Sequence, residues 1–375
     1  MTTAKKLLTG ITSFVNKNPV LTIAAVLAAI TAFIVPPDKE YIGYFDFKTL
    51  TCLLCTLAVV CALKNIRFFT IIAQKIVKTA RNTRFAILAL VYITFIGSML
   101  IANDMALLTF LPLGYYVLSS TKKEKYMAFT FIMQNIAANL GGMLTPFGNP
   151  QNLFLYTKFN IPTAEFMQIM VIPFAISIAL ITLCCLFVPK EEMTISEREE
   201  KPLPKLVTTF YLIMFSLTIL VVFRVLDFYI GLLAIIPSIF IVDKDALKKV
   251  DYPLLFTFAA FFIFAGNMSR IDVIRDIFSV ILEKNTLLIS ALSCQVISNV
   301  PSAILLSQFT ENYPELLVGV NIGGVGTLIS SLASLITFRE YTSRYKEDTK
   351  RYLLMFSAFN FAFLIILTVA MLIIM

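Results

Sequence analysis

Apolar runs, most of them long enough to cross or deeply enter a bilayer core of roughly 30 Å, recur along the whole chain. They fall near 19–36, 50–63, 84–101, 104–120, 126–157, 166–188, 207–223, 228–242, 252–268, 285–298, 299–310, 315–338 and 352–375. Backbone polar groups in hydrocarbon must find partners within the protein, so a chain patterned this way folds as membrane-spanning helices. Only 14% of the 375 residues are charged, 58% are hydrophobic, and 34 are Phe. A soluble domain carries about a quarter charged residues. The net charge of +8 sits in short loops between apolar runs, where it sets membrane orientation and gives no cause to expect a nucleic-acid partner.

The six cysteines, Cys52, Cys55, Cys61, Cys184, Cys185 and Cys294, lie in or beside apolar runs. The chain has no histidine and no second Cys-x-x-Cys. Cys52 and Cys55 are therefore read as small apolar helix residues rather than as a metal or redox site. Lys5, Lys6 and Lys17 precede the first run, and no small-residue cleavage site follows it, so residues 19–36 are expected to be a retained first span.

Between 64 and 84 lie Lys64, Arg67, Lys75, Lys78, Arg81 and Arg84 with no acid, and apolar residues recur at helical spacing. Such a stretch is expected to lie along the headgroups on the cytoplasmic side, with the N-terminus on that side too. The runs 84–101 and 104–120 have basic outer ends and almost nothing between them. Two full spans with an external turn, or a re-entrant hairpin, would both place those ends inside.

An internal repeat decides for the hairpin. Asn139-Leu-Gly141-Gly142-Met-Leu-Thr145 returns as Asn321-Ile-Gly323-Gly324-Val-Gly-Thr327, and Ile101-Ala-Asn103-Asp104 returns as Ile297-Ser-Asn299-Val300. A span, a charged amphipathic stretch, a broken hairpin, a broken span and a last span run from 50 to 188, then again from 252 to 375. Loops at 189–206, 243–251 and 339–351 read as cytoplasmic, and 270–284 with the acidic 311–315 as external. The first hairpin then enters from the cytoplasm and the second from outside. The expected fold is an all-α polytopic membrane protein of two inverted-topology repeats, each with a re-entrant hairpin and a broken transmembrane helix, with about nine spans plus two hairpins. Its parts are an N-terminal span and external loop (1–49), repeat 1 (50–188; hairpin 84–120, broken helix 126–157), a linking region (189–251) and repeat 2 (252–375; hairpin 285–310, broken helix 315–338). The N-terminus is expected in the cytoplasm and the C-terminus outside, in an inner or plasma membrane.

Within NLGGMLTPFGNPQN (139–152) stand three glycines, two prolines, three asparagines and a glutamine. Unwinding a helix in a membrane exposes backbone groups that packing or a ligand must satisfy. Gly141 and Gly142 would let the chain leave the helix, and Asn149 with Pro150 would restart it as an N-cap and first helical residue. That new N-terminus favours an anion or a polar oxygen, while the half-helix ending near Leu140 presents carbonyls to a cation. A proline-kinked helix packed on its neighbours is the plainer alternative for one copy, and two inverted copies favour a site. Asp104 is the only acidic or basic side chain between Phe85 and Leu118. It is read either as a cap of the second hairpin arm or as a proton or sodium ligand, two roles that are compatible.

The segments ANDMALLTFLPL, NLGGMLTPFGNPQN, SNVPSAILLS and NIGGVGTLISSLAS together resemble the ion-transporter superfamily, which includes divalent-anion/sodium symporters, citrate carriers, sodium/proton antiporters and arsenite permeases. The pattern is most similar to the arsenite-permease-like branch, with its Asn-Asp tip, G-[ND]-P-x-N loop and late G-S-L-A-T-like segment. The resemblance implies elevator-type secondary transport by a homodimer. It implies a first cation site from Asn103, Asp104, Gly141 and Gly148, joined by Gly142, and a second from Ser298, Asn299, Gly323, Gly324 and Thr327. Substrate would lie between the tips, among Asn103, Asn139, Thr145, Asn149, Asn152, Ser298, Asn299, Asn321, Thr327, Ser330 and Ser331. The Ser-Asn-Thr tips of the dicarboxylate carriers are replaced here by Ala102-Asn103-Asp104 and Ser298-Asn299-Val300.

The expected activity is coupled movement of a small anion or oxyacid with H⁺ or Na⁺, with lipid as the surrounding partner, no nucleic acid, no cofactor and no metal beyond Na⁺. A passive channel and a Na⁺/H⁺ antiporter are the alternatives. No HExxH or GxSxG motif supports an enzyme.

Overall fold

The computed structural model describes residues 14–15, 18–193 and 202–375. The basic residues Lys5, Lys6 and Lys17, and Glu197 in the 189–206 loop, lie outside the described residues. The described chain is helical throughout. In order the helices are α1 (Pro19–Ile34), α2 (Phe47–Asn65), α3 (Phe68–Val77), α4 (Thr83–Ile101), α5 (Asn103–Ser120), α6 (Met127–Gly141), α7 (Pro150–Lys158), α8 (Thr163–Leu186) and α9 (Lys205–Val222). There follow α10 (Phe228–Val242), α11 (Lys244–Lys248), α12 (Tyr252–Ser269), α13 (Asp272–Lys284), α14 (Thr286–Ile297), α15 (Asn299–Leu306), α16 (Tyr313–Ile322), α17 (Leu332–Thr342) and α18 (Thr349–Ile374).

Among the described residues six stretches are long and apolar enough to cross a membrane: Phe47–Asn65, Thr83–Ile101, Thr163–Leu186, Lys205–Val222, Tyr252–Ser269 and Lys346–Ile374. The expected count of about nine included shorter segments, among them α1 and α10, whose 16 and 15 residues fall below that length. Large apolar side chains stand outward on these helices, with Leu206 85% and Phe187 80% exposed. In water such a surface would be an association hazard; against acyl chains it is the solvated face. The polar residues go the other way. Asn135, Asn139, Asn149, Asn152, Asn321 and Asn360 are all buried.

The element order of residues 47–186 returns in 252–374: a long helix, a short one, two helices joined by one residue, an interrupted helix and a final long helix. The correspondence extends to backbone angles. Ala102, between α4 and α5, has φ 66 and ψ 155, and Ser298, between α14 and α15, has φ 75 and ψ 159. That region is costly for a residue with a side chain, by about 1–3 kcal/mol, and persists only where the surroundings impose it. In both copies the next residue fixes the turn the same way: Asp104 N donates to Asn103 Oδ1 and Val300 N to Asn299 Oδ1, each at 2.9 Å.

The interrupted helices match as closely. α6 stops at Gly141 and the helix restarts at α7 after Asn149, which stands at the N-cap position but makes no side-chain capping bond; α16 stops at Ile322 and restarts at α17 after Ser331, whose side chain does cap. These two residues stand at equivalent places in the repeat, with φ −140 and −152. The hairpin helices and interrupted helices pack with α8 and α18 into one buried body; α1 pairs with α12 and α2 with α9 and α10, while α12 also packs on α15 and residues of α1, α2, α9 and α12 join the same core.

Candidate functional site

Both hairpin tips and both helix breaks meet in the buried body. Asn103 Nδ2 donates to Asn139 Oδ1 at 3.3 Å, joining the first tip to the first interrupted helix. Asn149 Nδ2 donates to the Asn139 carbonyl at 3.2 Å and to Asn321 Oδ1 at 3.3 Å. Gln151 Nε2 also reaches Asn321 Oδ1, at 3.4 Å. Asn321 Nδ2 donates to Asn152 Oδ1 at 2.6 Å. In the second repeat the Asn299 amide donates to the Ser330 carbonyl at 2.9 Å, holding the tip against the break.

The paired glycines divide the work. A Cβ on Gly141 would strike the Phe95 carbonyl, with Ser98 Oγ at 2.6 Å, and one on Gly323 would lie 2.8 Å from Cys294. The first glycine of each pair thus lets the interrupted helix cross its hairpin arm at close range, as small residues do between membrane helices. The second glycine faces the break. A Cβ on Gly142 would strike Asn149 Oδ1 and lie 2.6 Å from the Gly148 carbonyl; one on Gly324 would lie 3.2 Å from Asn299 Nδ2 and 3.4 Å from Asn139 Oδ1. Gly142 has φ −63, so it is not a left-handed backbone that calls for glycine there. Among the described glycines only Gly326 has positive φ, at 127. Gly142 is required by close approach, and Gly148 by the same contact from the other side.

Thr145 and Thr327 are loop anchors. Thr145 Oγ1 donates to the Met99 carbonyl at 2.9 Å, and Thr327 Oγ1 to the Gln295 carbonyl at 3.0 Å, equivalent bonds in the two repeats. Ser330 Oγ donates to the Gly324 carbonyl at 2.9 Å, and Ser331 Oγ accepts from Ser334 N at 3.2 Å as the cap of α17. Ser298 Oγ turns to the Ser330 carbonyl at 3.3 Å.

Asp104 lies in the first turn of α5, half-buried, and does not cap it; the side chain that accepts the Asp104 amide belongs to Asn103. Its Oδ1 is buried without a hydrogen-bond partner among the described residues. Asp104 lines a cavity of about 60 Å³ together with Ala102, Pro150 and Leu332, so the first tip and the N-terminal residues of both half-helices α7 and α17 border one space. Leu53, Leu57, Val60 and Phe147 make its apolar wall, and Asp251, the cap of α12, stands at the same cavity. The second tip, Ser298 and Asn299, is not among the lining residues, so the cavity is built unequally from two similar repeats.

Sequence reasoning passed over several residues. Gln295 donates from Nε2 to the carbonyls of Gly323 at 2.9 Å and Val325 at 3.2 Å, and its Oε1 accepts from Thr327 N at 2.9 Å, so one amide carries the second break. Asn135 reaches Asn360 Oδ1 at 3.2 Å and Ser334 Oγ at 3.4 Å, tying α6 to α18 and α17. An amide in an apolar run was the available signal for both, Gln295 standing alone and Asn135 beside Gln134. Among the described residues no group of His, Cys, Asp and Glu is disposed to hold a metal, and Cys52 and Cys55 are buried free thiols.

A family model described as a citrate transporter matches residues 11–313. The chain belongs to the citrate transporter family. It is 36% identical over 302 residues to the uncharacterized transporter MJ0456 of Methanocaldococcus jannaschii, covering 80% of this chain and 82% of that protein. It is 27% identical over 324 residues to the inner membrane protein YbiR of Escherichia coli, covering 84% and 85% respectively. Membership in this citrate transporter family makes the chain a multi-pass membrane transporter and not an enzyme.

Proposed function

We propose that this transporter moves a small carboxylate or other oxyacid anion by secondary active transport coupled to H⁺ or Na⁺, with Asp104 as a ligand of the coupling ion. The observation that carries the reading is the buried Asp104 Oδ1, without a partner, in a cavity that also reaches the starts of α7 and α17. A carboxylate in a membrane is retained where it binds a cation or a proton. Asn149 Oδ1 and Gln151 Oε1 are buried without donors as well. Unmatched oxygens suit a hard cation, which takes oxygen ligands. The starts of α7 and α17 border the same space, and a helix N-terminus suits an anion.

In this reading the matching hairpins are re-entrant and the two repeats are inverted in the membrane, with the N-terminus and the basic loops cytoplasmic and the C-terminus external. The body of hairpins and interrupted helices slides against α1, α2, α9, α10 and α12 as an elevator, in a homodimer. We assign the Asn103-Asp104 tip to the arsenite-permease-like branch.

Counterflow in proteoliposomes tests the function. A carrier accelerates labelled citrate uptake when unlabelled citrate is inside, whereas a passive channel does not. Asp104→Asn keeps size and hydrogen bonding but removes the titratable charge. It should abolish uptake driven by an imposed Na⁺ or proton gradient while the purified protein stays folded. Gradient-driven uptake at the wild-type rate in that variant would remove Asp104 from coupling, and absence of trans-stimulation would favour the channel.

A further inference from the structure

Next to the Asp104 cavity lies a second, larger one of about 320 Å³, between the end of α2, the amphipathic α3 and the hairpin arm α5. Leu108 lines both, so the two cavities adjoin. Their polar linings are opposite in charge. The first presents Asp104 and Asp251; the second presents Lys64, Arg67, Thr70, Gln74, Thr109 and Tyr116, with no carboxylate among the described residues. Arg67 and Tyr116 have further contacts of their own. Lys64 is half-buried, and among the described residues no carboxylate pairs with it. A cation kept partly out of water without an acid partner is a desolvation cost that an anion would offset.

We propose that the Lys64 cavity is a second anion site, separate from the Asp104 cavity, that recognises a carboxylate or phosphate group beside the transport pathway. Lys64 supplies the charge and the Thr70 hydroxyl a hydrogen-bond donor, while Gln74 lines the same cavity and can be replaced without removing either. Opposite linings also set an order. An anion is repelled from two carboxylates until a cation or proton is bound there, and it is held meanwhile in the adjoining cavity by a lysine. The ligand's oxyanion group belongs either to a free solute or to an anionic lipid headgroup.

A cysteine placed at Gln74 reports occupancy directly, without any transport measurement. In nanodiscs of neutral lipid, citrate or inorganic phosphate should slow maleimide alkylation of Gln74→Cys about tenfold when present at about ten times its Kd, because protection follows occupancy. Phosphatidylglycerol in the disc, with no added solute, should do so if the headgroup is the ligand. Lys64→Gln should remove the protection and Lys64→Arg should keep it. Protection should persist in Asp104→Asn, which separates this site from the coupling reading. Alkylation unaffected by citrate, phosphate and phosphatidylglycerol overturns the site. Protection unchanged in Lys64→Gln, or lost in Asp104→Asn, overturns it equally.

Discussion

Asn321 Nδ2 lies 2.6 Å from Asn152 Oδ1, and this bond joins the interrupted helix of the second repeat to that of the first. Both side chains are buried. The same Asn321 accepts from Asn149 and Gln151, so one side chain of the second repeat anchors three of the first. The two breaks are therefore one polar unit.

Asn321→Ala leaves Asn152 Oδ1 and Gln151 Nε2 without these partners inside the protein. Each orphaned buried group costs about 1–3 kcal/mol. The variant is expected to show a clearly lowered Tm in a thermal unfolding scan and no transport. A Tm equal to wild type would mean that the amides rearrange freely and that the inter-repeat bond is dispensable.

Gly142 and Gly324 should respond unequally to alanine. At Gly142 the added methyl meets the Gly148 carbonyl at 2.6 Å, backbone that cannot step aside, so Gly142→Ala should lower Tm as well as abolish transport. At Gly324 the nearest atoms are Asn299 Nδ2 and the Asn321 carbonyl, both 3.2 Å away, and Asn139 Oδ1 at 3.4 Å. Gly324→Ala should keep a near-native Tm and lose transport, because the methyl occupies the point where both asparagines converge. In an ordinary helix interior the same change would stabilise by about 0.5–1 kcal/mol. A more stable, fully active Gly324→Ala would make that glycine a packing residue.

Glu191 fastens both roots of the first hairpin. Its carboxylate takes Lys123 Nζ at 2.7 Å, Lys125 Nζ at 2.6 Å and Tyr126 Oη at 2.5 Å, while its backbone pairs with Thr83 at the other root. The hydrogen bonds from Lys123, then Lys125 and Tyr126, hold its pKa down at about 2. A carboxyl lowered on folding stabilises at pH above its unfolded value, and that contribution is lost as pH falls through the folded one. Wild type should therefore exceed Glu191→Gln in Tm at neutral pH by a margin that shrinks from about pH 4 and vanishes near pH 2. A margin independent of pH would show that the charge is not what holds the clamp.

Membrane topology is open to cysteine labelling in a background without native cysteines. Thr121→Cys, between the hairpin and the first interrupted helix, should react with an impermeant maleimide only from the cytoplasm. Gly43→Cys and Asn312→Cys should react only from outside. Labelling of Asn312→Cys from the cytoplasmic side would remove the inversion of the second repeat.

Helix-forming character, the membrane as solvent, the repeat and the location of the breaks were all legible in the sequence, because each is written locally. Apolar run length reports on the bilayer, and Asn-x-Gly-Gly-x-x-Thr repeats whole because each repeat needs the same turn. Asn149 and Pro150 announced a helix start, and the start is there. Which polar groups meet was decided by tertiary structure alone. Nothing local tells that Gly141 packs on the first hairpin arm while Gly142 faces Asn149, since both have ordinary helical angles and differ only in what lies opposite. Likewise, Gln295 carries the second break and Lys64 borders a cavity adjoining that of Asp104 because separate helices converge there. A buried amide or charge takes its partner from whatever packing brings within reach, and that depends on the whole fold.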